Sequence, residues 1–283
     1  MTRSSAALAA LLLIAAALPA CAGDDGRPEV IVGAAASLEP LLRDAEADLE
    51  ASANVEITYV FGASGALAEQ VRQGAPIHLF LSASESFAQR LAPEHAAPGS
   101  VRPFAVGRLA FVTTLDASPH ADWRDLAADA RVRHVAVANP EVAPYGAAAM
   151  AALDEAGLRA TVEERLVVGG NAAQTLQLAA SGNAHAAIVP LSLARADLAE
   201  GLTVLPMGAA GAEHLVHALA LIDGASPQAA AVADLLTAPQ VAARLERYGY
   251  APLPAGSGAG RPAPRRGAWG GPPTTKIPAK PGN

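Results

Sequence analysis

The feature that most constrains this chain is a sustained alternation, from residue 30 to residue 248, of short apolar runs and segments with helical periodicity. Residues 30–32 form a first strand-like run, and 38–52 carry a helical pattern. Residues 55–61 alternate as a strand, 65–73 read as a helix, and 77–81 as a third strand. Parallel strands need crossover connections, and helices supply them. The chain is therefore predicted to be α/β, with mainly parallel sheets flanked by helices. Residues 104–114 read as one longer strand that crosses into a second unit. There the rhythm restarts: strand 135–137, helix 144–157, strand 167–168, helix 171–181, strand 186–189. Residues 214–222 are predicted to cross back, ahead of helices at 227–237 and 239–248. The expected organisation is two lobes, 27–107 with 217–254 and 108–216, and a ligand cleft at the carboxyl ends of the strands.

The two ends read differently. Arg3 precedes an uncharged apolar run at 6–18, too short to span a bilayer, so residues 1–21 are predicted to be an export signal. Leu18-Pro19-Ala20-Cys21 has the form of a lipobox, with Cys21 as the lipidated residue; cleavage at Ala20 or Ala22 is the plainer alternative. Cys21 is the single cysteine, so no internal disulfide can form. Residues 255–283 are rich in Gly, Pro and Ala, carry five basic residues and no acidic one, and are expected to be a disordered tail. With Arg3 and those five set aside, residues 22–254 carry a formal charge of about −13, against −7 for the whole chain. A nucleic-acid partner is thereby excluded.

Four turns where strands run into helices share one chemistry. They are Gly33-Ala34-Ala35-Ala36-Ser37-Leu38, Phe61-Gly62-Ala63-Ser64-Gly65-Ala66-Leu67, Asn139-Pro140-Glu141-Val142-Ala143-Pro144-Tyr145-Gly146 and Gly169-Gly170-Asn171-Ala172-Ala173-Gln174. Ser37, Ser64 and Asn171 are natural N-cap residues, and Pro144 suits a first helical turn. Any one such turn is ordinary capping. Four together could aim unpartnered N–H groups and positive helix ends at one anion without Lys or Arg. Long-range repulsion from the acidic chain is screened beyond about 8 Å. Five to seven hydrogen bonds to a charged ligand, at roughly 1.5–3 kcal/mol each, could leave a site of about micromolar to nanomolar affinity.

At these turns the sequence resembles the periplasmic molybdate-binding proteins of ABC transporters, over about residues 29–253. The resemblance is carried by Ala34-Ala35-Ala36-Ser37-Leu38, Gly62-Ala63-Ser64-Gly65 with Gln70, Gly74-Ala75-Pro76, Leu79-Phe80-Leu81-Ser82-Ala83, Asn139-Pro140, Ala143-Pro144-Tyr145-Gly146, Gly170-Asn171 with Gln174, and Tyr248-Gly249-Tyr250. It implies a type II two-lobe periplasmic binding fold and a buried tetrahedral oxyanion, molybdate or tungstate. Ser37 and Ser64 would each donate a hydroxyl and a backbone N–H. Tyr145 and Ala172 would donate backbone N–H groups, with Ala36 and Asn171 in support. These four residues would reach the metal only through its oxygens. The resemblance further implies a membrane permease as partner, a monomer, a periplasmic or envelope location, and no cofactor. Three positions depart from the family pattern. Pro190 stands where many members have a Tyr donor, and Tyr145 could compensate with its own hydroxyl. His78 replaces an Asp, and His214-Leu215-Val216-His217 replaces a pattern beginning Tyr-x-Ile.

Other chemistries fit less well. His214 and His217 would face opposite sides of a strand, which disfavours zinc. Ala66 stands where a nucleophile elbow needs its second Gly. The acidic residues show no paired pattern for acid–base work, so the chain is not expected to be an enzyme. Sulfate or another oxyanion is an alternative ligand. A ligand-sensing lipoprotein without a transport role is an alternative of another class.

Overall fold

A computed structural model describes residues 26–115, 122–196 and 199–253. The predicted export signal, Cys21 and the tail at 255–283 lie outside the described residues. The strands are β1 (Glu29–Ala35), β2 (Glu56–Gly62), β3 (Leu79–Ser82), β4 (Arg102–Val106), β5 (Leu109–Thr113), β6 (Val135–Ala138), β7 (Leu166–Gly169), β8 (Ala186–Pro190), β9 (Thr203–Pro206) and β10 (Val216–Leu221). The helices are α1 (Glu39–Ala53), α2 (Ser64–Arg72), α3 (Glu85–Leu91), α4 (Trp123–Ala128), α5 (Pro144–Glu155), α6 (Arg159–Val162), α7 (Ala172–Ala180), α8 (Leu191–Ala194), α9 (Pro227–Leu236) and α10 (Pro239–Arg247).

Two five-stranded sheets result, ordered β2-β1-β3-β10-β4 and β7-β6-β8-β5-β9. In each, the first three strands pair in parallel and the fourth is antiparallel to both its neighbours, so four strands run one way and one the other. That fourth strand lies just beyond a crossing between the sheets: β10 follows the return, and β5 the outward step. The central strands β3, β5, β6 and β8 are buried at every position, as expected where helices cover both faces. Their unbroken apolar runs, Leu79-Phe80-Leu81 and Ala186-Ala187-Ile188-Val189 among them, are the sequence signature of that burial. The edge strands β2 and β7 keep exposed positions.

The single long strand expected at 104–114 is two strands in two sheets. β4 pairs with β10, and β5 pairs with β8 and β9. The change of partner falls at Gly107 and Arg108. Val106 exchanges hydrogen bonds of 2.9 and 2.8 Å with Ala251, and the Gly107 N–H donates to the Leu215 carbonyl at 2.8 Å. One residue on, the Arg108 carbonyl accepts from Leu191 in the second half at 2.8 Å. The return crossing is broken likewise. Gly211, at φ 65°, turns the chain into a 3₁₀ turn at Ala212–His214, so the strand expected from 214 begins at Val216.

One close approach fixes the start of α5. A Cβ on Gly146 would stand 2.1 Å from the Ala138 carbonyl oxygen, so only glycine lets the helix begin tight against the end of β6.

Candidate functional site

The four turns sit at the carboxyl ends of β1, β2, β6 and β7 and meet between the two sheets. The Gly65 N–H donates to the Val142 carbonyl at 2.8 Å, tying the second turn to the third. Ala63, Ala138 and Ala143, with Val142 against them, form a small apolar seal there. α7 packs against the 3₁₀ turn that holds Ser37, joining the fourth turn to the first. None of the four contains Lys or Arg.

The serines do not cap helices, contrary to the sequence expectation. Ser37 lies inside the 3₁₀ turn Ala36–Leu38, and neither that turn nor α1 has a side-chain cap. Ser64 is the first residue of α2, one place past the N-cap Ala63. The N-cap falls two residues before Ser37 and one before Ser64, and both serines are buried. They are 1% and 0% exposed. The Ser64 Oγ accepts the Ala83 N–H at 3.0 Å, so its own proton is free to be donated elsewhere.

Asn171 does cap α7. Its side chain accepts the Gln174 N–H at 2.9 Å, and the Gln174 side chain reaches back to accept the N–H of Gly170, the residue before the cap, at 3.1 Å, a variant of the capping box. That lock holds Ala172, buried at the helix start, with its N–H at the positive end of α7. Ala143, at the N-cap of α5, offers no side-chain acceptor, so the N–H of Tyr145 in the first turn is uncapped. Asn139 shapes the approach, accepting the Glu141 N–H on its side chain at 3.0 Å and the Ala143 N–H on its carbonyl at 2.9 Å.

The Tyr145 ring is also buried, and its hydroxyl has no hydrogen-bond partner. Burial, with Tyr250 nearby, holds its pKa well above the ordinary phenol value, so it remains a donor. The Ser37 and Tyr250 hydroxyls influence it without completing a bond to it. An orphaned buried hydroxyl is rare in folded proteins.

A second layer supports Ser37. Its carbonyl accepts two hydroxyls, Ser192 Oγ at 2.7 Å and Tyr250 Oη at 2.7 Å. Its Oγ lies 3.3 Å from His217 Nε2. His217 is fully buried and sits edge-on to Tyr145, Tyr250 and Phe104, with ring centroids 5.8, 5.1 and 6.0 Å away. Burial lowers its pKa to about 4, against the opposing pull of the Leu215 carbonyl, so the ring is neutral at pH 7. Gly107 floors the cluster. A Cβ there would stand 2.3 Å from Tyr145 Oη and 2.8 Å from His217 Cε1.

The departures from the family pattern separate by place. His78 lies before β3, and its Nδ1 accepts the Ile31 N–H at 3.0 Å, a structural role at the far end of β1 from Ser37. Pro190 ends β8, and two residues later Ser192 supplies the hydroxyl that reaches Ser37. His214 and His217 part company: one belongs to a 3₁₀ turn, partly exposed, and the other is sealed beside Ser37. Sequence reasoning gave no site role to His217, Ser192, Tyr250 or Gly107, although the altered His-Leu-Val-His segment and the Tyr248-Gly249-Tyr250 match had singled out two of them.

Comparison with known proteins identifies the family and the fold. The family model described as bacterial extracellular solute-binding protein matches residues 30–251. A molybdate-binding protein ModA of Rhodobacter capsulatus is 33% identical, over 88% of this chain and 96% of its own length. The ModA of Azotobacter vinelandii is 31% identical, over 85% of this chain and 96% of its own. The solved structure of the Azotobacter vinelandii periplasmic molybdate-binding protein superposes with a TM-score of 0.72 at 25% identity, covering 80% of this chain and 99% of that one. The chain therefore belongs to the bacterial extracellular solute-binding proteins, in the family of the molybdate-binding proteins ModA, and so among transport components rather than enzymes.

Proposed function

We propose that the protein captures molybdate or tungstate as a tetrahedral dianion between its two lobes and delivers it to an ABC-transporter permease. The lobes on this reading are 27–107 with 217–254 and 108–216. The observation that carries it is the convergence of four helix starts, free of Lys and Arg, on buried hydroxyl and N–H donors. Ser37 and Ser64 supply hydroxyls and N–H groups, and Tyr145 and Ala172 supply N–H groups. Ala36 and Asn171 hold the turns. The unpartnered Tyr145 hydroxyl stands in for the donor that Pro190 cannot provide. Such a site offers donors to a fully deprotonated anion and replaces its hydration shell without a Lys or Arg in any of the four turns. The protein acts as a monomer in the periplasm or envelope, anchored by an acyl chain on Cys21.

A thermal-shift series on the mature protein with molybdate, tungstate, sulfate, phosphate and chromate tests the ligand. A specific ligand at about 100 times its dissociation constant adds about 2.7 kcal/mol of stability. Shifts with molybdate and tungstate but not sulfate are expected. A shift with sulfate alone would reassign the ligand, and none with any oxyanion would remove the reading.

A further inference from the structure

The imidazole beside Ser37 poses a problem of proton count. A carbonyl only accepts, so the 2.9 Å contact between His217 Nδ1 and the Leu215 oxygen places the ring proton on Nδ1. Nε2 of the neutral ring is then a bare acceptor, and its partner at 3.3 Å is the Ser37 hydroxyl. Ser37 has one proton. While it is directed at His217, Ser37 presents only lone pairs to an incoming oxyanion. Swinging that proton to the ligand would strand a buried Nε2 without a donor.

We propose that His217 is a positioning residue that holds the Ser37 proton before the ligand arrives, and that capture of a divalent oxyanion is coupled to uptake of one proton from solvent at His217 Nε2. The balance is simple. Nδ1–H stays on the Leu215 carbonyl. The new Nε2–H donates to Ser37 Oγ, and the Ser37 hydroxyl proton turns to an oxygen of the anion. The dianion thereby gains a buried cation one hydroxyl away, in a site that otherwise has none. The groups facing His217 do not compete for this role. They are the Tyr145 and Tyr250 phenols, both held protonated by burial, the Phe104 ring, and Ser37 itself. On its own sheet the register neighbour on β4 is Ala105, and no carboxylate or guanidinium is among the groups that perturb it.

The inference rests on the oxyanion reading, and its test separates the two. Molybdate is titrated isothermally into the wild-type protein from pH 5.5 to pH 8, in pairs of buffers with different ionisation enthalpies. The expected result is net proton uptake on binding, largest at the acid end, with at least tenfold tighter binding at pH 5.5 than at pH 8. The H217Q amide can donate to Ser37 without titrating. It is expected to lose both the buffer dependence and the pH dependence, and to bind at pH 8 at least as tightly as wild type. A merely structural histidine would instead leave wild-type binding free of proton exchange, with H217Q weaker at every pH. Molybdate binding that is flat with pH and independent of buffer overturns the proposal and leaves the oxyanion reading standing. The wild-type measurement decides this even if H217Q fails to fold. Failure of molybdate, tungstate and sulfate to bind at any pH overturns both.

Discussion

At the scale of residues, the two serines differ in what each can give. Ser64 accepts from Ala83 and keeps its proton for a ligand, while the Ser37 proton is already engaged by His217. Ser64→Ala is therefore expected to weaken molybdate binding by about 10- to 150-fold, the equivalent of one hydrogen bond to a charged group at roughly 1.5–3 kcal/mol. It also strands the Ala83 N–H, so the ligand-free melting temperature should fall slightly; calorimetric titration together with melting reads both. His217 gives a second expectation, for the ligand-free protein. Its folded pKa, about 4, is below the unfolded value of 6.5, so the unfolded chain binds the extra proton first. Its contribution to stability is complete above about pH 6.5 and is lost as pH falls toward 4, by about 3 kcal/mol. Denaturant melts at pH 7 and pH 4.5 should show this loss, and H217Q should show less of it. As candidates, Ser37 and Ser64 were legible because small and donor residues at strand-to-helix turns have a local pattern, and Tyr145 and Ala172 through the family resemblance; their part in binding is what the titrations test. His217, Ser192 and Tyr250 were not, because they reach Ser37 from 180, 155 and 213 residues away in sequence.

At the scale of elements, apolar runs predicted where strands lie better than where they change partner. Residues 104–114 look continuous because Phe104, Ala105 and Val106 are followed soon by Leu109, Ala110 and Phe111, and periodicity carries no information about which sheet each half joins. Gly107 marks the break, and its lack of a side chain leaves space for Tyr145 and His217. Gly107→Ala is expected to force both buried rings to move, an overpacking of about 1–3 kcal/mol. For a chain of this size that lowers the melting temperature by a few degrees, at about 2–4 °C per kcal/mol. Because the displaced groups are Tyr145 and His217, molybdate affinity should fall as well, whereas an overpacked residue remote from the turns would lower stability alone. The short helices α3, α4, α6 and α8 and the edge strand β9 escaped prediction for a related reason. Each is seven residues or fewer, less than two full helical turns or a clear strand alternation, and tertiary packing decides its shape.

At the scale of the whole molecule, the proposed function predicts that binding closes one half upon the other, and one contact between the halves offers a test. The Gly65 N–H, at the start of α2 beside the first sheet, donates to the Val142 carbonyl, which precedes α5 beside the second. A Cβ on Gly65 would stand 2.9 Å from that carbonyl oxygen, 3.0 Å from Val142 Cα and 2.9 Å from the Phe87 ring. Two of those three obstacles are backbone from the opposite half, so they disappear when the halves separate. The Phe87 ring remains, but it is a side chain at its far edge, able to shift. Gly65→Ala should therefore penalise the closed arrangement far more than the folding of either half. The expected signature is a melting temperature without ligand close to wild type, at least a tenfold loss of molybdate affinity, and a dissociation rate that carries most of that loss. Small-angle scattering at saturating molybdate should give a larger radius of gyration for the variant than for the wild type. Equal radii with reduced affinity would place the effect in the donor geometry of the second turn and not in closure; an equal fall in stability with and without molybdate would mean that Val142 and Gly65 stay packed whether or not a ligand is present.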